Sequence, residues 1–296
     1  MVDVSVQLQA PLAVDSDTPV HTRLGTGGGA AGTAAWLVRG GHPVRLVAAM
    51  GDDHLADVAR AGLTDWGLRD EQCALQVAPR TATGTCIVLI DPNGERTMLT
   101  DPGANALLAP DARCLDDARH VHVSAYGLMR PSSTVAVRAL LVAARERGIT
   151  TSLDLSSAAP LADHRATVTE ALTDVTVVLA NELEACTLTG ATDGRDALTQ
   201  LASIVPVAVV KVGARGCWAQ AGAERVVQPA PERAGPVTDT TGAGDALAAG
   251  FLAAWCSGGS LEKAVAAGQA LAAHTLGRVG AGPGPAGVAE SPASPA

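Results

Sequence analysis

The chain has 296 residues, 47% of them hydrophobic, with a net charge of −9. That length holds one large α/β domain or two smaller ones, and the negative balance argues against nucleic acid or an anionic membrane as partner. Cys73, Cys86, Cys114, Cys186, Cys217 and Cys256 are scattered with no close pair, which is neither a disulfide framework nor a zinc pattern. They are expected to be reduced in a cytoplasmic protein, since no signal peptide follows Met1 and no apolar run is long enough to span a membrane.

In chain order, Val4, Val6 and Leu8 alternate with Ser5, Gln7 and Gln9, and Val20, Thr22 and Leu24 alternate again. This is the pattern of half-exposed strands. Gly27-Gly28-Gly29-Ala30-Ala31-Gly32 formally satisfies G-x-G-x-x-G, with Asp52 twenty residues beyond Gly32, which on spacing alone is a dinucleotide fingerprint. A dehydrogenase loop follows a buried apolar strand, however, and the preceding Thr18–Leu24 segment is polar and interrupted. A helix is expected over 30–39 and a strand over 44–50, ending at Gly51-Asp52-Asp53. Strands at 85–90 and 96–100, joined through Asp91-Pro92-Asn93-Gly94, form a hairpin. With the early strands it makes a small sheet, a lid built from about 3–25 and 83–102 that would keep water from a reacting phosphate.

Beyond residue 120 the pattern becomes one of alternating strands (120–124, 151–154, 175–179, 207–212) and helices (134–147, 182–189, 196–204, 260–276). Such alternation implies a mostly parallel sheet covered on both faces. His120 and His122 share one face of a strand, but with no third ligand nearby ordinary packing is the better reading than metal. No internal repeat is visible, and the segment 282–296 is a Pro/Ala/Ser tail expected to be flexible.

Three stretches carry chemistry. Asn181-Glu182-Leu183-Glu184 opens a helix and has the spacing of a capping box, with Asn181 as N-cap. Lys211-Val212-Gly213-Ala214-Arg215-Gly216 follows a β-branched strand as a glycine turn, and no Gly-Lys-[Ser/Thr] exists that would make Lys211 a Walker lysine. The most informative run is Asp239-Thr240-Thr241-Gly242-Ala243-Gly244-Asp245, entering an apolar small-residue helix. Its glycines permit a tight turn, so that helix N-terminal N–H groups converge on one spot suited to an anion. Asp245 in the first turn can accept a proton beside that anion. Ordinary capping is the alternative for any shorter piece of the run.

The whole run resembles the signature of the ribokinase-like (PfkB) carbohydrate kinases. Gly27-Gly28 before a long helix, Gly51-Asp52-Asp53, Asn181 with Glu184, and Gly213 with Gly216 resemble the family's other motifs. The resemblance covers about Asp3 to Ala281 and implies a three-layer αβα ribokinase-like fold with a small β lid over residues 1–281. The implied activity is ATP-dependent phosphorylation of a hydroxyl on a sugar or sugar-like substrate. Asp245 would be the base, with the N–H groups of Gly242, Ala243 and Gly244 as the anion hole. It further implies substrate contacts at Asp3, Gly27, Gly28 and Gly32, and nucleotide contacts at Lys211, Gly213, Gly216 and Thr241. Asn181 and Glu184 would hold Mg²⁺ through water, Asp239 would help hold K⁺, and Gly268-Gln269-Ala270 with Val279-Gly280-Ala281 would fall at the adenine pocket and a cation site. A homodimer through the lid is the expected assembly.

Two departures stand against the family pattern. Gly32 occupies a position where the family usually has Asn, which removes an expected sugar contact. A buried strand usually precedes the aspartate aligned with Asp3, so either the start codon is misplaced or the central sheet lacks a strand, and Asp3 is expected to hang from a frayed end. A nucleoside or vitamin kinase of the same fold, or a catalytically weak sugar- or nucleotide-binding homologue, is the alternative.

Overall fold

The computed structural model describes residues 1–91, 96–232, 240–277 and 280–285. Pro92–Gly94 of the hairpin turn, Val237, Thr238, Asp239, Val279 and tail residues 286–296 lie outside them. In the first part of the chain, strands β1 (Val2–Leu8) and β2 (Val20–Thr26) lead into helix α1 (Gly29–Arg39). Strand β3 (Leu46–Met50), helix α2 (His54–Asp65) and strand β4 (Cys73–Val77) follow, then the hairpin strands β5 (Thr85–Ile90) and β6 (Arg96–Asp101). After them come β7 (His120–Ser124), α3 (Pro131–Glu146), β8 (Thr150–Asp154), the short α4 (Ala158–Asp163) and α5 (Arg165–Ala171), and β9 (Val177–Asn181). The last elements are α6 (Glu182–Thr189), α7 (Gly194–Ala202), β10 (Val207–Lys211), β11 (Cys217–Ala221), β12 (Glu224–Gln228), α8 (Ala243–Cys256) and α9 (Leu261–Thr275).

The main sheet runs β12-β11-β10-β9-β8-β7, and β7 through β10 are parallel. Both faces of its middle strands are buried. Val178, Ala180, Ala208 and Val210 pack with residues of α3 through α7, while Val177, Leu179, Val207 and Val209 pack with α8 and α9. Period-two alternation in strands that are apolar throughout therefore feeds two helical layers, which is the three-layer αβα arrangement. Helices α8 and α9 cross closely at Gly250 and Gly268, where a side chain would run into Ala267 or the Leu247 carbonyl. Gly268 is thus a packing residue.

Strands β3 and β4 pair with each other and not with β7. Helix α1 packs on both β3 and β7, so the two sheets share a helix. The lid forms as expected, a sheet of order β2-β1-β5-β6. It also corrects the expectation of a frayed start. Strand β1 is paired on both sides, Val2 is fully buried, Val2 N donates to the Gly84 carbonyl at 2.8 Å, and Gly27 N donates to the Met1 carbonyl at 3.1 Å.

Asp53 caps α2 through Ala56 N (3.0 Å) and also accepts from Thr83 Oγ1 (2.6 Å), which ties the Gly51-Asp52-Asp53 corner to the start of the hairpin. His120 and His122 hydrogen-bond to Ser152 Oγ on the neighbouring strand, each at 2.8 Å, and burial holds both near a pKa of about 4. They are neutral packing residues.

Candidate active site

Parallel strands β8, β9 and β10 end side by side, and their last residues are Asp154, Asn181 and Lys211. Ligand sites of open α/β sheets lie at such carboxyl ends. Lys211 Nζ bonds Asp154 Oδ2 at 2.8 Å, with both side chains largely buried. Burial pulls the lysine pKa down, but the carboxylates of Asp154 and Glu184 more than offset this and hold it raised. Lys211, expected along the nucleotide phosphates, pairs with Asp154 beneath the N-terminus of α8. A Cβ on Gly244 would sit 3.3 Å from its Nζ.

Asn181 and Glu184 close a complete capping box. Glu184 N donates to Asn181 Oδ1 at 2.8 Å, and Asn181 N donates back to Glu184 Oε2 at 2.8 Å. The Asn181 amide adds a 2.7 Å bond to Oε1. Glu184 is buried, and burial raises its carboxyl to a pKa of about 7.

The turn into α8 is built on Gly242, which adopts a left-handed conformation (φ 76°) and is crowded by the carbonyl of Ala281, so a Cβ is excluded twice over. Of the three expected anion-hole donors, Ala243 N is spent on the Thr240 carbonyl at 3.2 Å, while Gly242 and Gly244 flank it in the first turn. Asp245 follows, its carboxyl close against Gly29 and Gly32. Burial, then the nearby Asp154 carboxylate, lift its pKa to about 8, with Lys211 opposing and Asp3 and Glu184 adding.

Helix α1 supplies the opposite wall. A Cβ on Gly32 would lie 2.7 Å from Asp245 Oδ2 and one on Gly29 3.1 Å from Oδ1, and Thr33 Oγ1 donates to the Asp245 carbonyl at 3.4 Å. Gly32 is therefore more than a missing asparagine, because it makes the space in which the Asp245 carboxyl sits. Gly27 makes the same room for Asp3, whose carboxylate fills the place a Gly27 side chain would take. Burial raises Asp3 to a pKa of about 6. Gly28 caps α1 with φ 107°. Asp3, Gly27, Gly28, Gly32 and Asp245 thus come together, as the motif reading expects.

Gly213 and Gly216 both have positive φ in the turn between β10 and β11, and Gly216 abuts the Gln228 carbonyl. The turn's geometry accounts for both glycines. Nearby, a cavity of about 610 Å³ lies between β12, Pro229–Pro231 and α9, and Gln269 lines it while donating to the Gln228 carbonyl at 2.9 Å. Asp239 falls outside the described residues.

Three site residues escaped the motif reading. Asp154 ends a parallel strand as Asn181 and Lys211 do, a signal that was available. Tyr126, just past β7, lies within electrostatic reach of Cys86, Glu184 and Asp154. Arg96 of the lid donates to Thr241 Oγ1 at 2.8 Å, and nothing in the local sequence points to it. Among the described residues no group of three or more His, Cys, Asp or Glu could hold a metal directly. The donor set nonetheless fits a water-shelled divalent ion. Asp154, Glu184 and Asp245 share one ammonium, and burial with mutual repulsion raises the carboxyls of Glu184 and Asp245, a strain that a further cation would relieve.

A strand-end carboxylate cluster facing a helix N-terminus, under a β lid, defines a phosphotransferase site on a ribokinase-type sandwich. The model of the pfkB family of carbohydrate kinases matches residues 3–286, and the chain belongs to that family. It is 30% identical to an ATP-dependent ribose-1-phosphate kinase of Halopiger xanaduensis, over 94% of this chain and 90% of that one. It is equally identical to an uncharacterised sugar kinase of Archaeoglobus fulgidus, over 77% and 86% of the two chains. Among solved structures, adenosine kinase from Sinorhizobium meliloti superposes with a TM-score of 0.83 at 26% identity, covering 96% of this chain and 93% of that one. Arabidopsis thaliana ribokinase with ribose and ATP shares the fold (TM-score 0.79, 22% identity, covering 95% and 91%). The protein is an ATP-dependent carbohydrate kinase, and among its described residues no helix is long and apolar enough to cross a membrane.

Proposed function

We propose that Asp245 is the general base of this kinase and that the first turn of α8 stabilises the transferring phosphoryl group. The observation that carries this is the placement of the Asp245 carboxyl, buried between Gly29, Gly32 and Lys211 beside the glycine turn. The substrate hydroxyl gives its proton to an Asp245 oxygen as its own oxygen bonds the γ-phosphorus. The bond to the β-bridging oxygen breaks, ADP leaves with that electron pair, and the proton passes from Asp245 to solvent. Asp3 and the backbone at Gly27-Gly28 hold vicinal hydroxyls of the substrate, while Gly213, Gly216 and Thr241 lie along the nucleotide. Asn181 and Glu184 would hold waters of Mg²⁺, which when bound would neutralise phosphate charge.

The acceptor is a small sugar of the pentose type, free or phosphorylated. The similarity to a ribose-1-phosphate kinase supports this, as do Arg23 and Arg96 on the lid face that carries Asp3. The similarity to an adenosine kinase structure supports nucleosides as the second class. The outer lid face carries Leu24, Ile87 and Leu99, all exposed, and a second copy of the lid would cover it in a homodimer. The test is an ADP-release panel of ribose, ribose 1-phosphate, fructose and nucleosides, run with and without K⁺. Absence of release with every acceptor refutes the reading.

A further inference from the structure

Helix α7 packs on β10 and β11, whereas the edge strand β12 packs with α9 on the other face of the main sheet. Trp218 of β11 pairs with Val227 of β12, and Gln220 with Arg225, so these four side chains share the α7 face. Trp218 is buried in the same core as Leu198 of α7. Its cross-strand partner Val227 is 65% exposed. The step between the two is a cavity of about 120 Å³, lined by Arg195, Leu198, Trp218, Arg225 and Val227.

Positive charge gathers at this corner of a chain whose net charge is −9. The Cζ atoms of Arg195 and Arg215 lie over the Trp218 ring, 5.3 and 5.1 Å from its centre. Arg215 is paired with Glu182. Arg195 has the ring alone, since among the described residues its guanidinium makes no hydrogen bond or ion pair. Asp193, the carboxylate beside it, is occupied in capping α7 through Arg195 N and Asp196 N. Arg225 gives Nε to Gln220 and Nη2 to Thr199, both neutral. A guanidinium over an aromatic ring uses its flat face, which leaves the N–H edge free to grip an anion with two bonds.

The cavity has the volume of about four waters at roughly 30 Å³ each. An inorganic oxyanion would meet the arginines and leave the apolar hollow wet. A neutral apolar molecule would fill the hollow and leave both cations unanswered. We propose that this corner is a binding site for a monocarboxylate with a short apolar chain. The chain lies on Trp218, Leu198 and Val227, and the carboxylate is held between Arg195 and Arg225. Val226 and Val227 also line the larger cavity against α9, so a ligand here braces the strand that walls it. The lining side chains are separate from Asp245 and its neighbours, and occupancy is measured without turnover.

The experiment titrates the full chain with butyrate, its neutral amide and inorganic phosphate, by calorimetry and tryptophan fluorescence. Wild type, Arg195→Gln, Arg225→Gln and Trp218→Phe are compared, each with its unliganded melting temperature. Butyrate should saturate one site and change the fluorescence. The amide and phosphate should bind about tenfold more weakly or worse, since each lacks half of the match. Either arginine variant should weaken butyrate by about tenfold, the worth of a hydrogen bond to a charged group. Its melting temperature should hardly move, because both side chains are exposed. Trp218→Phe should keep the calorimetric signal and lose the fluorescence change, which assigns that change among the four tryptophans. Should Trp218→Phe fail to fold, the arginine variants decide alone. No saturable butyrate binding up to tens of millimolar, or equal binding by wild type and both arginine variants, overturns the proposal. Phosphate or the amide binding as tightly as butyrate overturns it too, because one half of the site would then contribute nothing.

Discussion

Asp245 lies among like charges, and its pKa of about 8 against 3.8 for a free side chain has two consequences of opposite sign. As a base it must lose its proton, so kcat/KM should rise with pH through about 8, the free-enzyme value that this ratio reports. For stability, the folded state holds a proton that the unfolded chain releases near 3.8, so this group's contribution falls as pH rises from about 4 to about 8. Asp245→Asn should therefore cut kcat by on the order of 10² or more. It should also melt higher than wild type at pH 8, with a smaller difference at pH 5. Calorimetry at the two pH values checks the sign, and a variant that melts lower at pH 8 would show the carboxylate to be better compensated than its surroundings indicate. Gly32 makes a second test at this scale. A methyl group there would meet Asp245 Oδ2 at 2.7 Å and its Cβ at 3.2 Å. Gly32→Ala should lower kcat by about 10- to 100-fold with a smaller change in KM, because a displaced base is costly. Gly32→Asn should be no better, despite matching the family's usual residue.

The helix start at Asn181 shows how one element can serve two ends. Its capping box satisfies the first-turn donors of α6 whatever else it does, and it also holds Glu184 buried near the charge cluster. Glu184→Gln retains the reach-back to Asn181 N, since glutamine also serves at this position, but removes the charge. It should raise the half-saturating Mg²⁺ concentration severalfold while lowering the melting temperature little. Asn181→Ala should cost about 1 kcal/mol of stability, as cap losses do. Both are read from Mg²⁺ titrations of ADP release beside thermal melts. A Mg²⁺ dependence unchanged in both variants would leave the motif as a cap alone.

At the scale of the molecule, the lid is a four-stranded sheet with one face over the site and the other bearing Leu24, Ile87 and Leu99 exposed to solvent. A lone apolar sheet face of this kind favours association. Sedimentation should show a dimer that Leu24→Glu with Leu99→Glu converts to monomer, with kcat retained because neither side chain is on the inner face. A wild-type monomer at micromolar concentration would remove the lid from assembly.

Much of this was legible in the sequence. Unbroken apolar strands such as 207–211 dictate a sheet buried on both faces, and the alternation in β1 and β2 dictates a half-exposed lid. Gly242 before Asp245 dictates a tight turn into α8, because each signal depends on neighbours within a few residues. The meaning of Gly32 was not legible, since the atom it makes room for is more than two hundred residues away along the chain. Asp3 read as a frayed terminal acid until β2 and β5 were seen on either side of it. The pairing of Lys211 with Asp154 was not legible either, because only parallel strand pairing brings the two side by side. Arg96 carried no local signal at all. Residue type and spacing determined which groups could do the chemistry. Which charges face one another, and so which carboxyl is forced to hold its proton, depends on strand order and helix packing, and only the tertiary structure decided that.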